Sequence, residues 1–398
     1  MGSRVLVLAG TRKGAFILES DRARQTWEVR GPFCEGRHTM HVTYDPATGA
    51  LLAATGGPGG SGLYEGFMFK CPECGAEPMM PCTEGGAPMS GLHANRKPPA
   101  TVWRSDDLGR TWTPSSEGLT YGEGGPKIEK VWHLEPAHGV LYAGVEPIGL
   151  FKSADGGATW THVSGLREHP STPNWQGGNG GPCLHSIVAH PDDPNQIWVG
   201  TSAAGSFYTA DGGKTWEPRN RNTRNFDEVN TENQVAGCVH HLVGALNGGT
   251  LNGGSLLYQQ NHFGVYRSSD GGETWQEISA GLPSDFGFPM AVLPHDHRSI
   301  YVIPLQPDGR FMPEGKAAVY CSRDGGDTWT RLDRGLPQGG AFCGVLREGL
   351  AVDTLEPAGV YFGTNTGEIF GSRDEGSSWE LIAGYLPPVL SVQVAVVE

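Results

Sequence analysis

The chain has 398 residues, including 61 Gly and 29 Pro, with 18% charged side chains and a net charge of −14. Its 29 basic residues face 43 acidic ones, which argues against nucleic acid, whose binding rests on clustered Lys and Arg displacing counterions. No apolar run reaches the roughly 18 residues of a membrane span, and so few charges exclude long solvated helices; 11 Trp, 11 Tyr and 14 Phe point instead to a packed, turn-rich β protein.

In chain order, the segment from Met1 to Gly10 has too short an apolar stretch for a secretory leader. The eight Cys, three clustered and five alone, do not read as a disulfide framework, so the expected location is the cytoplasm. VLVLAGT and GAFILES then read as short strands, followed by a worn turn from Ser20-Asp21 to Thr26-Trp27. Six clearer copies of that turn follow: SDDLGRTW at 105–112, SADGGATW at 153–160, TADGGKTW at 209–216, SSDGGETW at 268–275, SRDGGDTW at 322–329 and SRDEGSSW at 372–379. Their closing Trp residues stand at 27, 112, 160, 216, 275, 329 and 379, at intervals of 85, 48, 56, 59, 54 and 50. Repeats of this period signal solenoids or propellers. Within each copy, Asp accepts backbone N–H groups, Gly supplies positive φ, and Trp anchors the next strand. Three strands precede each turn (CLHSIVAHP innermost, then QIWVGT and GSFYT) and a fourth follows it. Four strands per unit predict an all-β, seven-bladed β-propeller of four-stranded blades over residues 1–398. The first blade lacks an inner strand, and the apolar run from Leu390 to Val397 has no turn after it. That tail is expected to pair into the N-terminal blade and close the ring.

The S-x-D-x-G-x-T-W octapeptide resembles the Asp-box, or BNR, repeat of sialidases, sortilin-type receptors, xyloglucanases and a photosystem II assembly factor. The resemblance covers nearly the whole chain and implies the propeller fold, with the boxes between third and fourth strands on the face opposite the usual active site. It implies an architectural role for the box Asp residues. The F/Y-R-I-P motif of sialidases is absent, and the corresponding region reads AGTRKGAF around Arg12, against a typical sialidase.

The long interval holds an insertion at 58–99 within blade two. Its Cys71, Cys74, Cys82 and His93 have the spacing and softness of a closed tetrahedral zinc site of structural type. CPECGAEPMMPC resembles short zinc-binding modules with a later His. The insert is expected to cover the pore or contact another subunit, making it a route to a homo-oligomer.

The face away from the boxes is where binding chemistry is expected. Inner strands there carry His41, His133, His185, His240 and His241, and a blade-five loop adds His262. Of these, His133, His185, His240 and His262 are the best candidates for a second transition metal at the central channel. Among the loops, Glu146, Glu232, Asp285, Arg347 and Glu348 are candidate catalytic residues. The leading expectation is a metal-dependent enzyme on a small molecule at this His-lined site, with no nucleic-acid or membrane partner. The alternatives are a glycoside hydrolase and a non-catalytic binding or assembly propeller.

Overall fold

The computed structural model describes residues 3–56, 70–71, 73–77, 80–89, 99–175, 177, 181–225, 228–235, 237–244, 250–251 and 254–398. Seven four-stranded antiparallel sheets follow one another around the channel, as the repeat predicts. From the inside outwards, blade 2 is Thr39–Asp45, Ala50–Thr55, Thr101–Ser105 and Thr113–Pro114, and blade 3 is Lys130–Ala137, Val140–Glu146, Gly149–Ser153 and Thr161–Val163. Blades 4, 5, 6 and 7 have inner strands Leu184–Ala189, Val239–Gly244, Gly287–Leu293 and Leu350–Val352. No described helix is long and apolar enough to cross a membrane.

Ring closure follows the expected route. The last strand, Val389–Val397, pairs antiparallel with Arg4–Thr11, matching Val5 to Val396 and Val7 to Val394, and becomes the inner strand of blade 1. Val389, Val392, Ala395 and Val397 are buried there. The seam with blade 7 is polar as well as apolar. Arg24, in the worn first turn, bonds Asp353 at 3.0 Å, and Tyr361 donates its hydroxyl to the same carboxylate at 2.9 Å. Trp27 of that turn packs edge-on against Tyr361.

The boxes repeat one geometry. In blade 3, Asp155 accepts the Thr159 N–H at 2.9 Å and hydroxyl at 2.6 Å and the Ser153 hydroxyl at 2.7 Å. Asp107, Asp211, Asp270, Asp324 and Asp374 do the same. Each carboxylate is consumed by its own turn. The box Trp then reaches backwards: the indole N–H groups of Trp160, Trp275 and Trp329 donate to carbonyls of Ser115, Arg219 and Ile278 on the preceding blades.

Candidate functional site

In blades 2 to 6 the inner strand slips register within its first residues, and the blade 6 strand slips a second time between Val292 and Leu293. The slips lie between Thr39 and His41, Val131 and His133, Leu184 and Ser186, Val239 and His241, and Gly287 and Met290. Such a bulge takes a residue out of the ladder and re-aims its side chain. Aligned on the slip, the strands give two columns: Met40, Trp132, His185, His240 and Phe288, then His41, His133, Ser186, His241 and Pro289. Each column forms a layer of the channel wall.

The same two hydrogen bonds recur from blade to blade. In the bulged layer, His185 Nε2–H donates to the Val239 carbonyl at 2.8 Å and His240 Nδ1–H to the Gly287 carbonyl at 2.6 Å. In the second layer the side chain accepts. His41 Nδ1 takes the Leu134 N–H at 3.2 Å, Ser186 Oγ the Leu242 N–H at 3.1 Å, and His241 Nδ1 the Met290 N–H at 3.3 Å. Each satisfies a backbone group that would otherwise be buried unpaired. Burial pushes His185 and His240 well below the ordinary imidazole range and lowers His241 too, so these rings stay neutral.

The second layer closes around Glu348, which is 3% exposed with neither oxygen hydrogen-bonded. Glu348 reaches the axis because the lead-in to blade 7 is tied to blade 1: it bridges in parallel to Ser391, and the Val392 N–H donates to its carbonyl at 2.7 Å. His133 Nδ1 lies 3.3 Å from one carboxylate oxygen, and His41 and His241 Nε2 lie 3.8 Å from the other. The far side of His133 meets Glu135 at 3.3 Å. Burial opposes charge on His133, but the Glu348 and Glu135 carboxylates outweigh it and hold the imidazolium up to about 10. Burial likewise opposes ionisation of Glu348, yet His133 and His241 keep its carboxyl well below the usual range. His41 is pushed down to about 3, first by burial and then by the charge on His133.

Ligand atoms of His41, His133 and Glu348 lie within 4.8 Å of one another, close enough to test as a metal site. The tautomers do not fit one. A neutral imidazole whose Nδ1 accepts a backbone N–H carries its proton on Nε2. His41 and His241 therefore aim N–H donors, not lone pairs, at the centre. Three imidazole N–H groups around one carboxylate make an anion cage filled by Glu348.

One layer towards the face opposite the boxes, Arg347 lies among the bulged side chains. Its guanidinium carbon is 5.8 Å from the Trp132 ring and 5.3 Å from Phe288, and Arg310 lies over the other part of that band, 5.5 Å from Phe288. Trp132 also donates its indole N–H to Glu146 Oε2 at 2.8 Å, where Lys130 Nζ makes a second contact at 2.8 Å. Glu146 Oε1 faces Gly181, whose φ is +81° and where a Cβ would collide with that oxygen. Burial pushes the neighbouring Cys183 thiol up to about 11 and raises Cys238, which removes both as thiolate nucleophiles at neutral pH.

The structure sorts the residues singled out by sequence. His133, His185, His240 and His262 do not converge as one ligand set. His133 belongs to the Glu348 cage, His185 and His240 bridge blades in the other layer, and His262 stands on the blade 5 hairpin, 5.3 Å edge-on from His240. The candidate catalytic residues separate too. Glu146 and Arg347 share Trp132; Glu348 is caged; Asp285 is bound by Arg224 at 2.8 Å; and Glu232 lines a small cleft of about 160 Å³ with Asn225 and Glu228. Lys130, Trp132, Phe288, Arg310 and Glu135 were not singled out, although TMHV, VWHL, LHSI, VHHL and GFPM align on inspection and would have placed two of them. On the box side of the cage the channel opens into a cavity of about 460 Å³ lined by His133, Glu135, His138, His190, Glu348 and Gln393 among others.

In the insert, the sulfurs of Cys71, Cys74 and Cys82 lie within 4.8 Å of one another. Backbone N–H groups of Cys74 and Glu73 point at the Cys71 sulfur, and a hairpin of Thr83–Glu84 with Ala87–Pro88 follows Cys82. His93 lies outside the described residues.

The BNR/Asp-box repeat family matches residues 207–218 and 266–277. Over 218 residues the chain is 27% identical to the oligoxyloglucan-reducing end-specific xyloglucanase of Emericella nidulans, covering 52% of this chain and 24% of that one. The chain thus spans about a quarter of that relative's length. Among solved structures, the GH74 enzyme of Niastella koreensis superposes with a TM-score of 0.56 at 18% identity, over 94% of this chain and 51% of its own. The periplasmic gluconolactonase of Pseudomonas aeruginosa gives 0.55 at 13% identity, over 99% and 100%. At these identities the likeness is one of fold. Repeat, blade count and closure together identify the chain as a seven-bladed β-propeller built on BNR/Asp-box repeats.

Proposed function

We propose that the protein is a hydrolase of carbohydrate-derived substrates, working at the channel mouth opposite the boxes with Glu146 as its general base. The observation that carries this reading is the hold on Glu146: Lys130 and Trp132 fix one oxygen and leave the other free of hydrogen bonds among the described residues. A base so fixed can take a proton from an attacking water, while Arg347 and Lys130 stabilise negative charge developing on the substrate oxygen. Trp132 and Phe288 supply faces for a sugar ring. The xyloglucanase and gluconolactonase relatives favour sugar-derived substrates over a metal-dependent reaction. Glycoside cleavage needs a second carboxyl as acid, whereas opening a sugar lactone needs only a base and an oxyanion holder. Glu146 alone is so held at the mouth among the described residues, and that favours a lactone as the second reading.

The test is turnover of xyloglucan oligosaccharides and of gluconolactone by the full chain. Glu146→Gln is expected to lower turnover by about 10²–10⁴-fold with an unchanged melting temperature. Absence of turnover on both substrates, or an equally active variant, overturns the reading.

We also infer that Cys71, Cys74 and Cys82 hold a structural zinc, with His93 as the fourth ligand. The support is the convergence of three soft thiol ligands in a segment with little apolar content of its own. Mass spectrometry after dialysis should count one zinc per chain, lost in Cys74→Ser. A zinc-free protein refutes it.

A further inference from the structure

Between blades 6 and 7 lies an apolar groove of about 620 Å³. Its floor includes Met312, Phe362 and Phe370, and its walls Phe342 and Leu381. Phe342 is 66% exposed and Leu381 57%, unusual for side chains of that size. The two strips that wall the groove at Met312 and Cys343 continue inward to Arg310 and Arg347. Residues 310–315 and 341–344 run alongside each other outward from the mouth: the Met312 N–H donates to the Cys343 carbonyl at 3.0 Å, and the Ala341 N–H to the Gly315 carbonyl at 2.8 Å. At the inner end Gly344 packs on the Arg310 carbonyl so closely that a Cβ would overlap it. Phe311, next to Arg310, meets Phe342 at the lip with ring centroids 5.3 Å apart.

The inner end is cationic. Arg310 and Arg347 both lie against Phe288, and among the described residues neither guanidinium is in an ion pair. Arg347 Nε is buried without a hydrogen-bond partner. Both charges lower His262 after burial has done so, and Arg347 lowers His240 in the same way, which places the positive charge at the mouth itself. In a chain of net charge −14, two unpaired guanidiniums at the head of an apolar groove are a local exception. Stacking on an aromatic face leaves the edge of a guanidinium free to meet a carboxylate.

We propose that the two arginines and the groove form one binding site for an amphiphilic organic acid. Its carboxylate sits on Arg310 and Arg347, and its apolar body lies along Met312, Phe342 and Leu381. The site shares Arg347 with the proposed reaction, but the proposal concerns binding and is read by titration without turnover, so the two can fail separately.

The test is isothermal titration of the full chain with hexanoate, octanoate and decanoate, and with decanol as the uncharged control. Affinity is expected to rise about fourfold per methylene, the fold-change equivalent of burying one CH₂, and decanoate should bind at least about tenfold tighter than decanol. Arg310→Met should erase the preference for the acid while leaving decanol binding intact. Leu381→Trp, which fills the groove from an exposed position, should erase the chain-length dependence. Equal affinity for acid and alcohol, or no dependence on chain length, overturns the proposal. So does a dimer in sedimentation velocity that Phe342→Ser dissociates, since the groove is then the contact between two copies.

Discussion

The rim and the channel of this propeller use the same repeat in opposite ways. On the rim, six equivalent Asp residues make the same three hydrogen bonds, which take up most of each carboxylate's acceptor capacity within its own turn. In the channel, equivalent positions carry Met40, Trp132, His185, His240 and Phe288, and the axis is filled by Arg347 and Glu348, which come from blade 7 alone. Where the repeat is kept, it builds the ring; where it departs, unpaired charge and free acceptors collect. A histidine column is not a metal site by its composition. Whether the backbone reaches the ring first decides what the ring can offer.

The largest effect should come from removing what both regions depend on. Deleting residues 389–398 opens blade 1 and exposes the buried Val389, Val392 and Ala395 together with the edge of Arg4–Thr11. Each buried Val alone contributes about 1.5–3 kcal/mol, so no cooperative thermal transition is expected by circular dichroism. A truncated chain that melts like the parent breaks the closed-ring account of rim and channel alike.

A smaller effect separates the two regions. His241→Phe leaves the Met290 N–H buried without its acceptor and should cost about 1–3 kcal/mol in denaturant unfolding. Asp270→Ala, on the rim, should cost less than that and leave turnover untouched. A rim variant that loses turnover with its fold intact would place chemistry on the wrong face and overturn the contrast.

The finest test is the pH profile of stability. His41, His185, His240 and His241 are held neutral, with folded values below the ordinary 6.5, so the stability they lend is present above that value and lost as pH falls below it. His133 behaves oppositely. Its folded value is raised to about 10, so its contribution is complete below 6.5 and declines as pH rises through about 10. Groups facing it are His41, His241, Glu135 and Glu348. Stability measured by denaturant should therefore peak near the ordinary imidazole value. Glu348→Gln should remove most of the alkaline decline and keep the acid one. An alkaline limb unchanged in that variant would show that Glu348 does not hold the imidazolium.

Much of the fold could be read directly. Seven Trp-closed turns fixed the blade count, and an apolar tail without a turn of its own located the closing strand. The insert's position between Thr55 and Thr101 was equally plain. The channel was less legible. His185 and His241 look alike in LHSI and VHHL, yet one donates to a carbonyl and the other accepts an N–H, because the register slip falls on His185 itself but one residue before His241. Glu348 looked like one more loop carboxylate, and only the bridge to Ser391 carries it onto the axis.

The periodic part of this protein is legible locally: turn chemistry, strand alternation and the repeat that gives the blade count rest on short octapeptides and the strands beside them. Tertiary structure alone decided which imidazoles stay neutral, which carboxylate is caged and which guanidiniums remain unpaired. Those properties depend on groups brought together from different blades, where burial and a neighbouring backbone N–H set the tautomer and the charge.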